Sequence, residues 1–404
     1  MRTPYQAANA RPSEPSRVFA LSIHADYRCR HSGACCTSDW DVPVEVPLYR
    51  TLAEALTTGR LGPAAAPADG DPVLLTGPDL PDDAAAMVAR TTTGDCVFYH
   101  RSSGLCVIQR DEGEERMPST CRHFPRLALR DVRGTSISLT HYCPTAAAML
   151  FREDVPIEIV EQPAAFPVAE YGGLVVGSDE WPPLLHPQML MDADAYSAWE
   201  RHMVACCADE ALSPESVIAT LDRDARLLRR SRPGDGPLIA VIARLPAAGV
   251  VVEPPPTLEP SLEHHRDAIA AVPDDLKPEP DEGGLARAYI EWVRPEWHRW
   301  IRPLRRYLAA KAFASWTAYQ GRGVLTVVRG LDAALALVRI EAARQCRNTE
   351  HALDADLLHE AFRHADFLLN HLAVGEDLAA SWSRVEYGDD GAVVARAELT
   401  LDGA

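Results

Sequence analysis

Cysteine is the residue of this chain whose spacing points most clearly to chemistry. Seven of the ten cysteines fall within the 115 residues from 29 to 143. Clustered thiols in a reducing compartment indicate metal binding or redox chemistry rather than disulfides. A buried free cysteine is often a simple packing residue, but that explanation suits one thiol better than a whole cluster. We therefore predict a metal site built from Cys29, Cys35, Cys36, Cys96, Cys106, Cys121 and Cys143.

The spacing within this cluster suits ligands that converge on one ion. The motif CRHSGACC at 29–36 groups three cysteines around Gly33, whose permissive backbone allows a tight knuckle. Cys96 and Cys106 are ten residues apart, and the intervening residues 102–104 (SSG) are typical of a hairpin turn. We expect that turn to place these two thiols side by side.

These motifs, taken in order, resemble a known family. The succession CRHSGACC, CVFYH, GLCVIQ, PSTCRHFPR and CP is similar to the pattern of the cysteine-cluster proteins that chelate zinc or iron. The closer resemblance is to the flagellin lysine N-methylase branch, because Trp40 follows the cysteine pair and residues 108–115 read IQRDEGEE. The resemblance covers residues 24–152, and it extends loosely to the helices of 305–372.

The resemblance implies a cofactor and an activity. It implies an iron–sulfur cluster, with zinc as the alternative metal because thiolates bind both. It also implies methyl transfer from S-adenosylmethionine to lysines of a protein substrate such as flagellin. The chain has no recognisable S-adenosylmethionine loop and no radical-type CxxxCxxC motif. A protein-lysine N-methyltransferase is thus one interpretation, with no catalytic residue predicted. The other is a non-enzymatic zinc- or iron-binding protein for metal handling or scaffolding.

One position departs from the family pattern. Where CxxCGxCC has its second cysteine, this chain has Ser32, so two fully thiolate sites cannot be built from the remaining seven. One four-cysteine site with three supporting cysteines and a pair of mixed cysteine and histidine sites both stay open. The histidines nearest the cysteines are more simply loop or supporting residues than ligands: His31, His100, His123 and His141.

Charge and hydropathy exclude several function classes. The net charge is −18, from 40 Lys and Arg against 58 Asp and Glu, which argues against nucleic-acid and anionic-membrane binding. The longest apolar run, 238–252, is interrupted by Arg244 and Pro246, so no transmembrane span is predicted. The first residues lack a hydrophobic signal core. We therefore expect a cytoplasmic protein.

A basic, aromatic stretch at 285–348 is the second notable feature. It carries 12 Lys and Arg, 4 Asp and Glu, and half of the 8 tryptophans. We interpret it mainly as helical core whose arginines pair with the acidic remainder of the chain. A face for an acidic partner is the alternative. Cys206 and Cys207, adjacent on a predicted helix, and Cys346 are interpreted as packing residues.

The elements that must position these residues predict a mainly α protein. We expect an irregular cysteine-rich metal-binding N-terminal domain with little sheet, followed by a helical C-terminal domain. Helical spacing is clear from residue 196 onwards, whereas Pro- and Gly-rich segments separate the parts. The predicted units are a flexible arm (1–20), the cysteine-cluster metal-binding domain (21–152), a connector (153–195), a helical domain (196–374) with a Pro-rich acidic linker (246–284), and a tail that could end on a strand (375–404).

Overall fold

The computed structural model describes residues 17–388, except 39, 79, 82, 168, 170, 178–180 and 279–280. The predicted N-terminal arm lies almost wholly outside these residues, and so does the alternating sequence after residue 388 that suggested a final strand. Within the described residues, no helix is both long and apolar enough to cross a membrane.

Strands and short helices are interspersed up to residue 190, and the elements described from residue 193 onwards are helices. The strands are β1 Val18–Leu21, β2 Pro43–Glu45, β3 Leu74–Leu75, β4 Ala84–Val88, β5 Tyr99–His100, β6 Leu105–Cys106, β7 Arg126–Asp131, β8 Gly134–Leu139, β9 Ile159–Glu161, β10 Gly173–Val175, β11 Leu184–His186 and β12 Met189–Leu190. The α-helices are α1 Val46–Thr57, α2 Val107–Glu112, α3 Ser119–His123, α4 Pro144–Met149, α5 Ala193–Ala208, α6 Pro214–Leu228, α7 Leu238–Ile242, α8 Glu259–Ala270, α9 Leu285–Ala288, α10 Ile301–Ala312, α11 Thr317–Gln320, α12 Val324–Thr349, α13 Ala355–Phe367 and α14 Gly375–Tyr387.

The largest sheet has five strands in the order β10-β7-β8-β1-β9. The β7–β8 hairpin is antiparallel and pairs Arg126 with Leu139, while β1 runs parallel to β8. Both faces of this sheet are covered. Ile137 belongs to a small cluster with α4, and the adjacent strand's Leu129 belongs to the large helical core. The sheet therefore lies between two packed layers of the protein.

The prediction of a mainly α protein with a separate cysteine-rich domain is wrong. The structure is about 49% helical and 12% strand, and its described residues form a mixed α/β arrangement with no clear separate cysteine-rich N-terminal domain. The sheet draws strands from both sides of the predicted boundary at residue 152, and it packs directly on the helices. Ser138 donates to the carbonyl oxygen of Ala310 at 2.9 Å, and Trp316 Nε1 donates to that of Ala128 at 3.0 Å.

The sequence predicts one strand of this sheet but not its pairing with the others. The alternating stretch 136–140 (SISLT) predicts a strand, and β8 lies at Gly134–Leu139. The remaining strands are harder to recognise, because a strand that is covered on both faces need not alternate between polar and apolar residues. In β8, five of the six residues are buried, including three with hydroxyl side chains. Its apolar and polar residues alternate, but the polar ones are not solvent-exposed, because neighbouring helices cover them. A local signal also locates α1: the helical spacing of residues 47–58 (PLYRTLAEALTT), with Pro47 at the first turn, predicts a helix there, and α1 lies at Val46–Thr57.

Helix α12 is the centre of the helical layer. Most of its residues between Val324 and Cys346 are buried, and α6, α8, α10, α13 and α14 pack around it. The arginines of the basic stretch pair with acids elsewhere in the chain, as the core interpretation expects. Arg339 lies 2.8 Å from Glu215, and Arg347 lies 2.5 Å from Asp281.

A buried carboxylate joins the sheet side to the helical side. Asp366 of α13 accepts hydrogen bonds from the backbone N–H of His141 at 2.5 Å, from its ring Nδ1 at 3.1 Å, and from the hydroxyl of Tyr307 at 2.6 Å. Lys311 supplies the counter-charge at 2.5 Å. Although burial raises the pKa of Asp366, Lys311 and His141 outweigh it and lower that pKa below its usual value.

Replacing Asp366 with asparagine should destabilise the whole protein. The Asp366→Asn variant leaves the Lys311 charge buried without its partner, which lowers the free energy of unfolding by about 3 kcal/mol or more. The matched control is Asp274→Asn, because Asp274 forms an exposed pair with Lys277, and we expect no measurable change there. Urea unfolding at neutral pH measures both. Equal stabilities of the two variants would contradict the role of Asp366.

The stability difference between wild type and Asp366→Asn should depend on pH. Because the pKa of Asp366 is lower in the folded state than the unfolded value of about 3.9, its contribution is fully present above that pH. This contribution is lost as the pH falls below that value and through the pKa of the folded state. The stabilities of wild type and Asp366→Asn should therefore approach each other as the pH falls below about 4. A difference that grows on acidification would contradict this sign.

Candidate metal centre

Five of the seven predicted cysteines meet at one cavity. Cys35, Cys36, Cys96, Cys106 and Cys121 line it, and the rest of its wall is apolar or nearly so. The wall is completed by Val42, Val88, Phe98, Ile108, Met117 and Pro118. The five thiols come from segments that are up to 86 positions apart in the sequence. Only the tertiary structure brings them together.

A tight turn presents the first two thiols. Gly33 has φ +77°, a left-handed conformation that other residues adopt with strain, and it begins the single 3₁₀ turn Ala34–Cys36. The Cys35 and Cys36 sulfurs lie 3.7 Å apart. The backbone N–H of Cys96 donates to the carbonyl oxygen of Cys36 at 2.8 Å, which ties this turn to the next cysteine segment.

The predicted hairpin presents the next two thiols. Strands β5 and β6 pair Tyr99 with Cys106, so the expected turn brings Cys96 and Cys106 to the same cavity. Cys106 is also the N-cap residue of α2, where the helix dipole favours a thiolate. Burial raises the pKa of this thiol, although the backbone N–H groups of Ile108 and Gln109 oppose that rise.

The fifth thiol stands on a single turn of helix. Cys121 lies in α3, and the Glu45 carboxylate accepts a hydrogen bond from the backbone N–H of Ser119 at 2.8 Å. Because Glu45 ends β2, that contact fixes α3 against the strand that packs beneath the first cysteine turn. The position of Cys121 thus depends on a residue 76 positions earlier in the sequence.

The five thiols of the cavity have unequal pKa values, because hydrogen bonds between thiols act on some of them and burial dominates for the others. Hydrogen bonding to Cys36 lowers the pKa of Cys96 to about 7 and also lowers that of Cys35, whereas the Cys36 thiol, which must keep its proton for these bonds, has a raised pKa. Burial raises the pKa of Cys106 to about 11 and raises that of Cys121 as well. Burying thiolates together is unfavourable without a cation, and a metal ion would replace the shared protons.

The guanidinium group of Arg90 faces this cluster. Its Nη1 and Nη2 atoms are buried and donate no hydrogen bond to any residue that the structure describes. The positive charge of Arg90 lowers the pKa values of Cys35, Cys96 and Cys121, opposing burial. A metal bound by four thiolates carries net negative charge, and it would supply the counter-charge that Arg90 lacks. Sequence patterns missed Arg90, because no cysteine motif includes it.

The other two predicted ligands lie outside the cavity lining. Cys29 is exposed, and its sulfur accepts a hydrogen bond from the backbone N–H of His31 at 3.4 Å. Cys143 is the buried N-cap residue of α4, and its sulfur lies 3.7 Å from the hydroxyl of Tyr27. The structure therefore brings together five of the seven and leaves these two beside the site.

Three of the four histidines near the cysteines bond groups other than the five thiols, and the fourth, His31, is exposed. His100 bonds Ser103 at 2.6 Å within the hairpin turn, and His123 accepts from the backbone N–H of Gly172 at 3.2 Å. His141 is fully buried between Asp366 and His24, whose Nε2 atom lies 3.3 Å from its own. His31 has a left-handed backbone at φ 55° in an exposed loop. None of these four lines the cavity.

A group of aromatic rings connects the cysteine cluster to the last helices. The ring of Trp40, four residues after Cys36, lies 4.8 Å from that of His371 and 5.1 Å from that of Phe124. His371 also bonds Thr140 at 3.2 Å. These ring contacts therefore pack the cysteine cavity against the helical core.

Comparison of this chain with protein-family models, with curated proteins and with solved structures finds no match.

Replacing Gly33 with alanine should disturb the cavity. An added Cβ would lie 2.3 Å from the Tyr99 hydroxyl oxygen, so the ring beside Cys106 must move. Gly59→Ala is the matched control, because Gly59 has a similar φ of +73° and no atom within 4 Å of the added Cβ. Backbone strain alone costs about 1–2 kcal/mol in each variant. We expect a larger loss for Gly33→Ala.

Two measurements test this difference. Urea unfolding compares the two stabilities, and a thiol reagent added to the native, metal-free proteins compares how fast the buried cysteines react. Faster thiol modification is expected in Gly33→Ala alone. Equal stability and equal reactivity in the two variants would show that contact with Tyr99 does not position the cysteines.

Proposed function

We propose that this chain is a metal–thiolate protein that holds an iron–sulfur cluster and methylates lysine side chains of a protein substrate. The observation that carries the metal proposal is the convergence of five thiols on one apolar cavity. Five thiols exceed what a single tetrahedral ion can use, and four thiolates are the usual ligand set of a cluster. The buried charge of Arg90 offsets part of the negative charge of such a group.

A single zinc ion is the second candidate occupant. The Cys35 and Cys36 sulfurs are 3.7 Å apart, close to the ligand separation of about 3.8 Å that follows from tetrahedral zinc–thiolate bonds. The free volume of the cavity is only about 10 Å³, which suits one ion. A cluster would require the five thiols to move apart. In the zinc case the protein is the non-enzymatic alternative, with a structural metal.

The methyl-transfer proposal rests on the resemblance of the cysteine motifs to the flagellin lysine N-methylases. S-adenosylmethionine would supply the methyl group. The lysine amine must lose its proton and lie in line with the sulfonium methyl, so positioning accounts for most of the rate gain. The cysteine cavity would organise the substrate-binding part of the protein. We assign no catalytic base.

Anaerobically purified protein should contain iron and sulfide and should be brown. We expect broad visible absorbance in the wild type. Cys36→Ser and Cys121→Ser should lose the metal. The solubility of these two variants should also fall, because metal binding contributes folding free energy, of order 10 kcal/mol for zinc peptides. Cys346→Ser is the matched control, since that thiol is buried in α12, and exchanging it costs only about 1 kcal/mol.

Metal analysis and an absorption spectrum of each variant provide the measurement. A colourless protein with stoichiometric zinc would replace the iron–sulfur proposal by the zinc candidate. Equal metal retention in Cys121→Ser and Cys346→Ser would show that the cavity is not the metal site.

The methylase proposal is tested with flagellin as the substrate. Wild type and Cys346→Ser, incubated with flagellin and isotope-labelled S-adenosylmethionine, should produce methyl-lysine that is detectable by peptide mass spectrometry. Cys121→Ser should not. Metal-loaded protein that methylates no lysine under these conditions would favour the non-enzymatic metal-binding alternative.

A further inference from the structure

A second group of ligand-type side chains lies outside the cysteine cavity. His202 and Cys206 are one turn apart on α5, and Asp224 lies on the neighbouring helix α6. One ligand atom from each lies within 4.8 Å of the other two. We propose that these three side chains form a binding site for a divalent zinc ion. The proposal does not depend on what the five thiols hold.

The geometry distinguishes this group from a hydrogen-bonded catalytic triad. In such a triad the thiol and the carboxylate contact different nitrogens of the imidazole. Here both contact the same one. His202 Nε2 lies 3.7 Å from the Cys206 sulfur and 2.8 Å from Asp224 Oδ2. One proton on this nitrogen can serve only one neighbour at a time, whereas one cation can be bound by all three atoms.

The distances suit zinc. Zinc binds thiolate sulfur at about 2.3 Å and imidazole nitrogen or carboxylate oxygen at about 2.1 Å, so tetrahedral ligands lie roughly 3.3–3.6 Å apart. The contact between Cys206 and His202 is already close to that separation. The contact between His202 and Asp224 must lengthen by about half an ångström, which a small side-chain rotation provides.

The surroundings hold the carboxylate in place for this role. Arg223 binds the other oxygen, Asp224 Oδ1, at 2.7 Å, and also donates to the carbonyl oxygen of Ala248 at 2.6 Å. Asp224 is therefore fixed with Oδ2 directed at His202, as a hydrogen-bonded carboxylate ligand usually is. The positive charge of Arg223 opposes a cation, but the carboxylate and a Cys206 thiolate together outweigh it.

Access and burial also suit a three-ligand site. Asp224 is fully buried, whereas the His202 side chain is 22% exposed and Cys206 is half-buried. An ion can reach these ligands from solvent, and a water molecule can take the fourth position, as in zinc sites with three protein ligands. Sequence analysis treated Cys206 and Cys207 alike as packing residues. Only Cys207 is fully buried in the core, because adjacent helical residues point about 100° apart.

Cobalt(II) chloride is a suitable spectroscopic probe for the site. It is added anaerobically to the full-length protein as purified, and difference spectra are recorded so that any resident chromophore cancels. We expect thiolate-to-cobalt charge transfer in the near ultraviolet together with the strong visible bands of tetrahedral cobalt. Zinc chloride should displace the signal. Cys206→Ser and His202→Ala should each lose the signal or weaken binding at least tenfold.

Two controls separate this site from other thiols. Cys207→Ser alters the adjacent residue of α5, and Cys346→Ser alters a buried thiol of α12; both should retain the cobalt signal. Circular dichroism melts of His202→Ala and Cys206→Ser verify that they fold. A folded Cys206→Ser variant that keeps the full signal, or wild-type protein with no cobalt–thiolate band, would overturn the proposal.

Discussion

The buried charge of Asp366 must be compensated by neighbouring groups, and this requirement determines how the sheet side and the helical side of the protein pack together. Asp366 is fully buried and can remain charged only because Lys311, Tyr307 and His141 surround it. Lys311 and Tyr307 lie on α10, Asp366 on α13, and His141 in the segment after β8. A buried charge without partners would destabilise the fold by several kcal/mol, so these elements must dock together. This packing also positions the cysteine-bearing segments, because β8 leads directly to Cys143 and pairs with β7, which comes after Cys121 in the chain.

A buried charge must also be compensated at the cysteine cavity, where the charge is positive. There the buried charge is the guanidinium of Arg90, and its neighbours are thiols whose proton sharing gives them unequal pKa values. Apolar side chains such as Val88 and Phe98 enclose them and exclude water. In an apolar enclosure an arginine and several thiolates are stable together only if a cation completes the charge balance. This physical incompleteness, together with the geometry, is why a metal is the occupant we propose.

The two candidate metal sites differ in construction. The cysteine cavity draws its thiols from loops, a hairpin and single helical turns, which suits a group that contributes to folding. The site at His202 is built on two regular helices, α5 and α6, and has a solvent-facing side. Helices hold side chains in more defined positions than loops do. The first site resembles a structural or cluster-binding centre, and the second resembles a site that exchanges its ion with solution.

The sequence by itself determined the features that depend on neighbours along the chain. The hairpin at 102–104, helix α1 and strand β8 all follow from local spacing, and the cysteines form a conspicuous group without reference to structure. Only the tertiary structure decided which thiols converge. It selected five of the seven, left Cys29 and Cys143 beside them, and added Arg90 from outside every motif. It also replaced the expected pair of domains by a mixed α/β body, because neither the pairing of strands from distant segments nor the buried charge pairs between such segments leave a pattern in sequence spacing.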